Sequence, residues 1–407
     1  MAAIAGLRGS GTADWATDER PKNFRELILW RDPNGSAPLT ALMSKMKKEV
    51  TDDAEFSWYE EELTIVRLTL GTATSSATSL TVSAGDAQNV KKGDLLLIEN
   101  GTETGAYTDE IAEVTTTPTT AGTVVVTRGR AGTAAAITAG AFATLIGSAY
   151  AEGVGSPDAV SRNPTKEKNF TQIFKDAYEL TGTAENTRYR TGDPIKNDKK
   201  RKMFDHSTRQ ELAWLLGKQL ELATGGSNGK PLRFTGGLLE KLAAAQATYS
   251  HTTKVWTTAP TTDTFLDAIH PIWDYGTPSA STAGTERLVL AGNGALNKLN
   301  KLAKTDGQIQ YDGVVKIYGM ELQRYVLPQG TLFLRSHPLM NVHGRFKNAM
   351  FVIDPSGLVY RPMKNRDTKM EDNIQANDAD SRKGQWKTEA GVEFHHLATM
   401  TYQGNFV

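Results

Sequence analysis

The segment Gly225 to Gly229 matches the G-x-S-x-G pattern of hydrolases, with Ser227 at the nucleophile position. The serine of this pattern acts as the nucleophile of acyl transfer only when a strand precedes it and a helix follows it. Here a long helical pattern comes before the segment, which favours a flexible connector. Gly229 and Lys230 resemble the end of a phosphate-binding loop, but Pro231 stands where that loop needs a serine or threonine. The segment therefore predicts neither a nucleophile nor a phosphate site.

His395 and His396 are adjacent, and adjacent side chains of a strand point to opposite faces of the sheet. We therefore interpret them as ordinary strand residues, because they cannot easily share one metal ion. Glu60, Glu61 and Glu62 alternate in the same way. They make a poor general acid and base pair, although they give a strand a strong negative charge.

A polar stretch near the C-terminus weakly resembles a calcium-binding loop through Asp378, Asp380 and Gly384. Arg382 and Lys383 occupy positions that such a loop reserves for a ligand and for its essential glycine, which favours a solvated loop instead. The chain contains no cysteine, which excludes disulfides, thiol catalysis and thiolate metal sites. We predict no catalytic residue, no metal site and no cofactor, and hence a protein that is not an enzyme.

A basic cluster occurs near the start of the long helix that we predict from about Asp198 to Thr224, with Gly225 and Gly226 ending it. The cluster consists of Lys196, Lys199, Lys200, Arg201 and Lys202. Cations at the N-terminal end of a helix oppose the helix dipole, so an acidic group is expected to compensate. Three interpretations stay open: a solvated helix start, contact with nucleic acid phosphates, and contact with an acidic arm of a neighbour, such as Glu60 to Glu62.

The composition limits the classes of protein. A chain of 407 residues is expected to form two or three domains. Its 46 basic residues balance 46 acidic residues, so no general field attracts nucleic acid or membranes. No apolar run approaches the roughly 20 residues that cross a bilayer. The first residues lack the pattern of a signal peptide, and we expect a protein of the cytoplasm or one assembled there.

Two aromatic segments that resemble strands, Ala54 to Val66 and Asn169 to Thr183, lie on either side of about a hundred residues rich in Thr, Ala and Gly. Strands that pair in space but are separated in sequence form a projecting arm, which typically contacts a neighbouring molecule. The residues expected to make that contact are Phe56, Trp58, Glu60, Glu62, Phe170, Phe174 and Tyr178. The intervening residues contain short strands between turn signals and predict a small β-barrel or sandwich.

The remaining elements give the fold class α+β. A short helix is predicted from about Ser36 to Val50, and another from Thr262 to Tyr275. A strand, a Gly-Asn-Gly turn and a helix follow from Glu286. Further strands lead to a pair around the turn Asp354 to Gly357 and to a final long strand from Glu389 to Gly404.

The order of these parts resembles the major capsid proteins of tailed phages with the Hong Kong 97 fold, in the branch typified by the major head protein of phage SU-10. Each phrase that carries the resemblance is weak alone, and the set in this order is specific. The phrases are SWYEEEL, LIGSAYAEG, NFTQIFKDAYELTGTAE, DKKRKMFDHSTRQELAWLLGK and EDNIQANDADSRKGQWKTEAGVEFHH.

The resemblance implies a domain plan that includes an extended loop (E-loop), a peripheral domain (P-domain) and an axial domain (A-domain). The expected ranges are an N-terminal arm with a short helix at 1–53, an ascending E-loop strand at 54–67, an inserted β domain at 68–153, a descending E-loop strand at 154–186, a P-domain with a spine helix at 187–285, an A-domain at 286–350 and a return to the P-domain at 351–407.

The resemblance also implies function. Members of the family assemble into hexamers and pentamers that close an icosahedral head around double-stranded DNA. The expected partners are other copies of the chain, the portal protein, scaffolding and decoration proteins, and packaged DNA through non-specific contacts, but no membrane. The expected location is the virion, after assembly in the host cytoplasm. Two other classes stay open: an extracellular β-rich adhesin, suggested by the Thr- and Gly-rich insert, and a hydrolase.

Overall fold

The computed structural model describes residues 47–61, 66–82, 86–99, 109–118, 122–157, 159, 163–189, 191–274, 276, 285–306, 311–317 and 320–407. The first strands are β1 (Glu55–Glu60), β2 (Arg67–Thr69), β3 (Ser79–Thr81), β4 (Asp94–Ile98), β5 (Glu110–Val114), β6 (Thr123–Ala131), β7 (Phe142–Ser148), β8 (Thr165–Phe170) and β9 (Gln172–Thr181). The α-helices are α1 (Gly182–Asn186), α2 (Pro194–Leu216), α3 (Leu238–Ala245), α4 (Thr262–Ile269), α5 (Asn293–Asp306) and α6 (Pro338–Val342).

The later strands are β10 (Leu220–Leu222), β11 (Leu232–Phe234), β12 (Thr253–Val255), β13 (Glu286–Ala291), β14 (Tyr311–Ile317), β15 (Met320–Val326), β16 (Thr331–Ser336), β17 (Met350–Ile353), β18 (Leu358–Pro362), β19 (Lys369–Glu371), β20 (Ser381–Phe394) and β21 (Thr401–Gly404). The chain divides into two compact units. One contains Met1–Trp58 with Glu167–Val407, and the other contains Tyr59–Lys166. The second unit is called the insert unit below.

The insert unit contains one sheet in the order β2-β7-β4-β5-β6-β3. Its strands alternate between buried and partly exposed residues, most regularly in β4 and β5, as expected for a sheet with one face on a core. The ends of the order meet where Leu70 and Val82 form an antiparallel bridge. The sheet therefore closes on itself around a core of aliphatic side chains, which include Leu68, Leu96 and Ile98. Of the two expected arrangements, the structure has the barrel.

The larger unit contains a sheet of seven strands in the order β12-β21-β17-β13-β16-β15-β14. Most neighbours are antiparallel, but β13 pairs in parallel with β16, and β12 pairs in parallel with β21. Every residue of β17 is buried, and so are the last five of β13, because these central strands are covered on both faces. Helices α4 and α5 contribute Phe265, Ile269 and Leu299 to one of the cores of this sheet.

A second sheet of the larger unit is built around the 14-residue strand β20. Strands β18 and β19 pair with successive parts of β20, while β9 runs antiparallel to it from Gln172 to Thr181. Helix α2 packs against one face of this sheet. The face is lined by Phe174, Asp176 and Tyr178 of β9, all of which are buried. The core beneath the helix includes Trp214 and Leu215, which are also buried.

Helix α2 differs from the predicted helix at both ends. It begins at Pro194, whose fixed φ suits the first turn, and Asp193 caps it by accepting hydrogen bonds from the Ile195 and Lys196 amides. It ends at Leu216, because Gly217 leaves the helical region. With 23 residues the helix is about 34 Å long. The predicted end at Gly225 was wrong, because the next residues form the hairpin of β10 and β11 instead.

Several other predictions about elements need correction. The final strand is interrupted: β20 ends at Phe394, and β21 joins the seven-stranded sheet. Strands β17 and β18 flank the predicted turn but belong to different sheets, since β18 pairs with β20. Lys48 and Thr51 form parallel bridges with Tyr360 and Met363, so the first predicted helix does not reach Val50. The rest of that helix lies outside the described residues.

The expected boundary between residues 350 and 351 falls inside a strand. It cuts β17, which is the hydrogen-bonded neighbour of β13 in the seven-stranded sheet. The same sheet contains β12 and β21, which come from the ranges expected to form the P-domain. Strands from outside the range 286–350 therefore complete this sheet. Backbone hydrogen bonds can pair strands that lie far apart in the sequence, so one continuous range does not contain the whole sheet.

Candidate assembly surfaces

The residues that resembled catalytic or metal-binding motifs are not brought together. Ser227 lies in the loop of the β10–β11 hairpin, so no strand-turn-helix elbow surrounds it. His395 and His396 follow β20 rather than lying in a strand, and His396 has a left-handed backbone. His395 Nε2 lies 2.9 Å from a carboxylate oxygen of Glu393. Within the ranges that the structure describes, no group of three His, Cys, Asp or Glu side chains could hold a metal ion.

Four of the aromatic residues expected to contact a neighbour are covered within their own chain. Phe56 is 4% exposed, Phe170 and Phe174 are each 6% exposed, and Tyr178 is 4% exposed. Strand β9, which carries two of them, is not part of an arm, because β20 and α2 cover it on one edge and one face. Their own chain therefore already covers these four rings, and a contact with another subunit stays a prediction. Aromatic alternation does not separate the two cases, because a buried sheet and an arm share it.

The first strand still presents groups to its surroundings. Strands β1 and β8 form a two-stranded sheet. Trp58 is half-buried and lies 5.6 Å from the ring of His395, measured between ring centroids. Tyr59 is 66% exposed, Glu60 is half-buried, and Glu61 is exposed. Glu62 lies outside the described residues. The exposed side of this strand is thus both aromatic and acidic, which keeps it as a candidate contact surface.

Much of the basic cluster is compensated by acidic groups of the same chain. Lys196 Nζ lies 3.7 Å from a carboxylate oxygen of Asp193, the capping residue of α2. Asp205, one turn further along the helix, lies 3.7 Å from Arg201 Nε and 4.0 Å from Lys202 Nζ. Lys199 pairs with Asp372, whereas Lys200 is exposed. These ion pairs within the chain offset the unfavourable interaction of the cations with the helix dipole. They also leave less positive charge in the cluster to bind phosphate.

Asp372 connects helix α2 with strands β9 and β20. Its carboxylate accepts hydrogen bonds from Lys199 of α2 at 2.8 Å, from the Tyr178 hydroxyl of β9 at 2.7 Å and from Arg382 of β20 at 3.1 Å. The Lys199 ammonium, followed by the Tyr178 hydroxyl and Arg382, holds the pKa of this carboxyl well below its usual range. Two predicted contact residues, Lys199 and Tyr178, thus meet at one intramolecular junction.

A polar layer lies between α2 and the second sheet. His206 is buried, with Nδ1 2.9 Å from a carboxylate oxygen of Asp176 and Nε2 2.8 Å from the Thr388 hydroxyl. Gln210 donates to the same hydroxyl at 3.0 Å, and Arg209 pairs with Asp176 from the surface. The helix is therefore fixed on the sheet by oriented hydrogen bonds as well as by apolar packing, since buried polar groups must be paired. A helix face that carries buried polar residues such as His206 and Gln210 is not recognised from the spacing of apolar residues alone.

The hairpin of β10 and β11 carries a surface that sequence reasoning missed. Leu222 pairs with Leu232 and Leu220 pairs with Phe234, so all four side chains share one face. Leu220, Leu222 and Leu232 are each at least 38% exposed. The other face carries a Glu221–Arg233 ion pair at 2.7 Å. Two apolar pairs flanking a Gly-rich turn were the available signal, but the predicted helix concealed it.

The insert unit contains a buried ion pair and carries exposed apolar side chains. Arg128 and Glu110 form a two-point ion pair at 2.6 and 2.7 Å, with side chains that are 5% and 0% exposed. Phe142, Ile146 and Tyr150 are partly exposed on the same unit. Small β-barrels with exposed aromatic groups are common scaffolds for recognition. These features suit the insert unit to contact another molecule.

The described helices and sheets form a scaffold of mixed α and β structure. No described helix combines the length and the hydrophobicity needed to cross a bilayer. Comparison with known proteins identifies the class as that of phage major capsid proteins. The family model described as "SU10 major capsid protein" matches residues 9–401. Because this match spans nearly the whole chain, the chain belongs to the SU10 major capsid protein family.

Individual capsid proteins share only low sequence identity with this chain. The major capsid protein of Pseudomonas phage PaMx41 is 26% identical over 354 residues, which cover 86% of this chain and 80% of that protein. The solved structure from Microbacterium phage Oxtober96 has a TM-score of 0.43 at 11% identity and covers 96% of each chain. The capsid of an empty GTA particle has a TM-score of 0.45 at 8% identity and covers 97% of this chain and 99% of that chain.

Proposed function

We propose that this chain is the subunit of a phage head, and that its copies assemble into hexamers and pentamers that close an icosahedral shell around double-stranded DNA. The family match over residues 9–401 is the observation that carries this proposal. The equal numbers of basic and acidic residues also support it, because subunits without net charge pack densely without repelling one another. The shell is part of the virion and forms in the host cytoplasm.

The proposal includes the Hong Kong 97 plan, adjusted to the observed elements. Helix α2 is the spine helix, and with β9, β18, β19 and β20 it forms the core of the P-domain. The seven-stranded sheet is the A-domain sheet, completed by β12, β17 and β21. Strands β1 and β8 are the base of the E-loop, and most of the insert unit lies between them in the sequence. The residues before β1 are the N-terminal arm. Hydrogen-bonded strand order supports these assignments.

Self-assembly is the first property to test. Purified protein is examined by negative-stain electron microscopy and by sedimentation velocity. Closed shells, tubes or rings of capsomers support the proposal. A monomer that persists at high concentration, both alone and with co-expressed scaffolding candidates from the same phage, contradicts it.

The contacts that close the shell are proposed to be non-covalent. No trio of side chains that would form an isopeptide bond is identifiable in the sequence, and the insert unit offers another means of reinforcement. Boiling assembled shells in SDS is then expected to release single chains of 44.3 kDa. A ladder of resistant oligomers would contradict a non-covalent shell. Portal, scaffolding and decoration proteins remain proposed partners, as does packaged DNA.

A further inference from the structure

Three lysines form a row across the second sheet of the larger unit. Lys175 of β9 lies directly opposite Lys387 of β20, and Lys387 lies directly opposite Lys369 of β19. Directly opposed residues of antiparallel strands share a face, with Cβ atoms about 5 Å apart. Here that face points away from α2, because Phe174 and Asp176 occupy the other face of β9. Lys175, Lys369 and Lys387 are called the lysine row below.

The lysine row is only partly neutralised by its surroundings. Lys387 Nζ lies 3.8 Å from Glu371, and the hydrogen bond from Gln385 together with the nearby Lys387 and Lys175 keeps the pKa of that carboxyl low. Lys369 donates to the Asn365 carbonyl oxygen, which carries no charge. Glu389, on the same face of β20, is already paired with Arg366. Among the described residues, the three ammonium groups therefore share the single carboxylate of Glu371. Like charges placed directly opposite each other destabilise a sheet, so the arrangement costs stability in the isolated subunit.

Another lysine on the same face of β20 is fully paired with a carboxylate. Lys383 of β20 lies opposite Glu179 of β9, with 3.1 Å between the ammonium nitrogen and a carboxylate oxygen. Its charge is cancelled within the chain, whereas the charge of the lysine row is not. This contrast within a single sheet indicates that an acidic partner from outside the chain completes the row.

An apolar group lies beside the row. Ile173 precedes Lys175 by two residues, so both side chains project from the same face of β9. Ile173 is 50% exposed. The surface therefore presents an aliphatic group and positive charge about 6.6 Å apart along an extended strand. A partner that matches both would combine an apolar side chain with a carboxylate at the same spacing.

The chain itself contains such a pair. Tyr59, which is 66% exposed, is the penultimate residue of β1, and Glu61, which is also exposed, directly follows the strand. In extended backbone their side chains project on one side about 6.6 Å apart. The two surfaces are thus complementary in charge, in polarity and in spacing.

We propose that Tyr59 and Glu61 of a second copy dock on this surface, with the tyrosine ring against Ile173 and the carboxylate on the lysine row. This contact rests on the proposed function, because it joins neighbouring subunits of one shell. A phosphate backbone would match the lysines but not the exposed Ile173, which favours a protein partner over DNA. The contact accounts for the three opposed lysines, because they repel one another in the free subunit but are paired with Glu61 of a neighbour in the assembly.

Charge reversal with rescue tests the contact. Lys175→Glu combined with Lys387→Glu, and separately Glu61→Lys, are each expected to raise the subunit concentration needed for assembly by about tenfold or more, because like charges then meet at an interface. The triple variant restores opposite charges in every copy, so its assembly threshold is expected to return toward that of wild type. Lys218→Glu, on an exposed loop residue, is the control for an equal change of charge on one side chain.

A neutral variant separates this role from a purely structural one. Lys175→Gln with Lys387→Gln removes the repulsion, so the free subunit is expected to melt at the same or a higher temperature while assembly weakens. Reversal variants that assemble like wild type, or a triple variant that is not rescued, would overturn the contact. Shells that form normally but lose packaged DNA would assign the row to nucleic acid and overturn it too. Failure of wild type to assemble would instead count against the proposed function.

Discussion

The buried ion pair of the insert unit gives a quantitative prediction. Arg128 donates to both carboxylate oxygens of Glu110 and to the carbonyl oxygens of Thr74 and Ala135, while the Gly129 amide also donates to Glu110 at 2.7 Å. Arg128→Ala removes the cation and leaves a buried carboxylate without its charge partner. Breaking such a pair costs about 3–5 kcal/mol in the free energy of unfolding.

The same strand provides a matched control. Arg130 pairs with Glu113 at 2.6 Å, but its side chain is 52% exposed and that of Glu113 is 29% exposed. Exposed pairs contribute about 0–1 kcal/mol, because water screens the charges and the side chains lose entropy. Arg130→Ala is therefore expected to change the free energy of unfolding by less than about 1 kcal/mol.

Differential scanning calorimetry of the full chain measures both effects. The transition of the insert unit is identified as the one that disappears when residues 70–146 are replaced by a short linker. For a unit of about a hundred residues, 3–5 kcal/mol lowers the melting temperature by more than about 10 °C. The transition of the larger unit is expected to stay in place. Equal shifts for Arg128→Ala and Arg130→Ala would refute the argument that burial decides the magnitude.

The pH dependence has a definite sign. Burial opposes ionisation of Glu110, but the Arg128 guanidinium and the Gly129 amide outweigh it and hold the pKa of the carboxyl below its usual value. A carboxyl whose pKa is lower in the folded state stabilises the fold above its unfolded pKa of about 4.3, and that stability is lost as the pH falls through the folded pKa. The difference between wild type and Arg128→Ala is therefore expected to shrink in acid. A constant difference from pH 7 to pH 3 would contradict this.

Three further predictions concern the larger unit and the shell. Phe174→Ala removes a buried ring that meets His206 edge to face, and urea denaturation should show a loss of about 3–5 kcal/mol; a loss below about 1 kcal/mol would mean the site is not packed. His206→Ala leaves the Thr388 hydroxyl and one Asp176 oxygen short of a partner, with an expected loss of about 1–3 kcal/mol by the same assay, partly recovered in His206→Asn. If the insert unit reinforces the contacts between subunits, shells that lack residues 70–146 are expected to melt at lower temperature, and unchanged shell stability would refute that reinforcement.

Local patterns in the sequence predicted many of the elements correctly. The strands of the insert unit, the strand and helix from Glu286 to Asp306 and the strand Thr331–Ser336 occur where the alternation and the turn residues indicate them. In the insert unit and in the helix, the period of the apolar residues identifies the element, whereas the strands that start at Glu286 and Thr331 are short apolar runs buried on both faces. Predictions failed where α2 ends, because the leucines of the hairpin extend the helical spacing past Gly217.

The candidate contact residues were less predictable than the elements. The alternation of Phe174, Asp176 and Tyr178 shows that β9 has two faces, but it does not show what covers them. A covering element can be a neighbouring subunit or a helix of the same chain, and both bury the same residue types. The same ambiguity affects Lys199, which was expected to face DNA or a neighbour but pairs with Asp372, 173 residues away in the sequence.

The sequence by itself determined the family, the presence of a β module within the chain, a long charged helix and the absence of thiol chemistry, because these depend on residue types and on short-range periodicity. Only the tertiary structure decided which strands share a sheet, that α2 covers one face of β9, and that Lys175, Lys387 and Lys369 stand in one row. The physical reason is that strand register and burial arise from backbone pairing between segments some 200 residues apart, such as β9 and β20, and no local pattern records such a pairing.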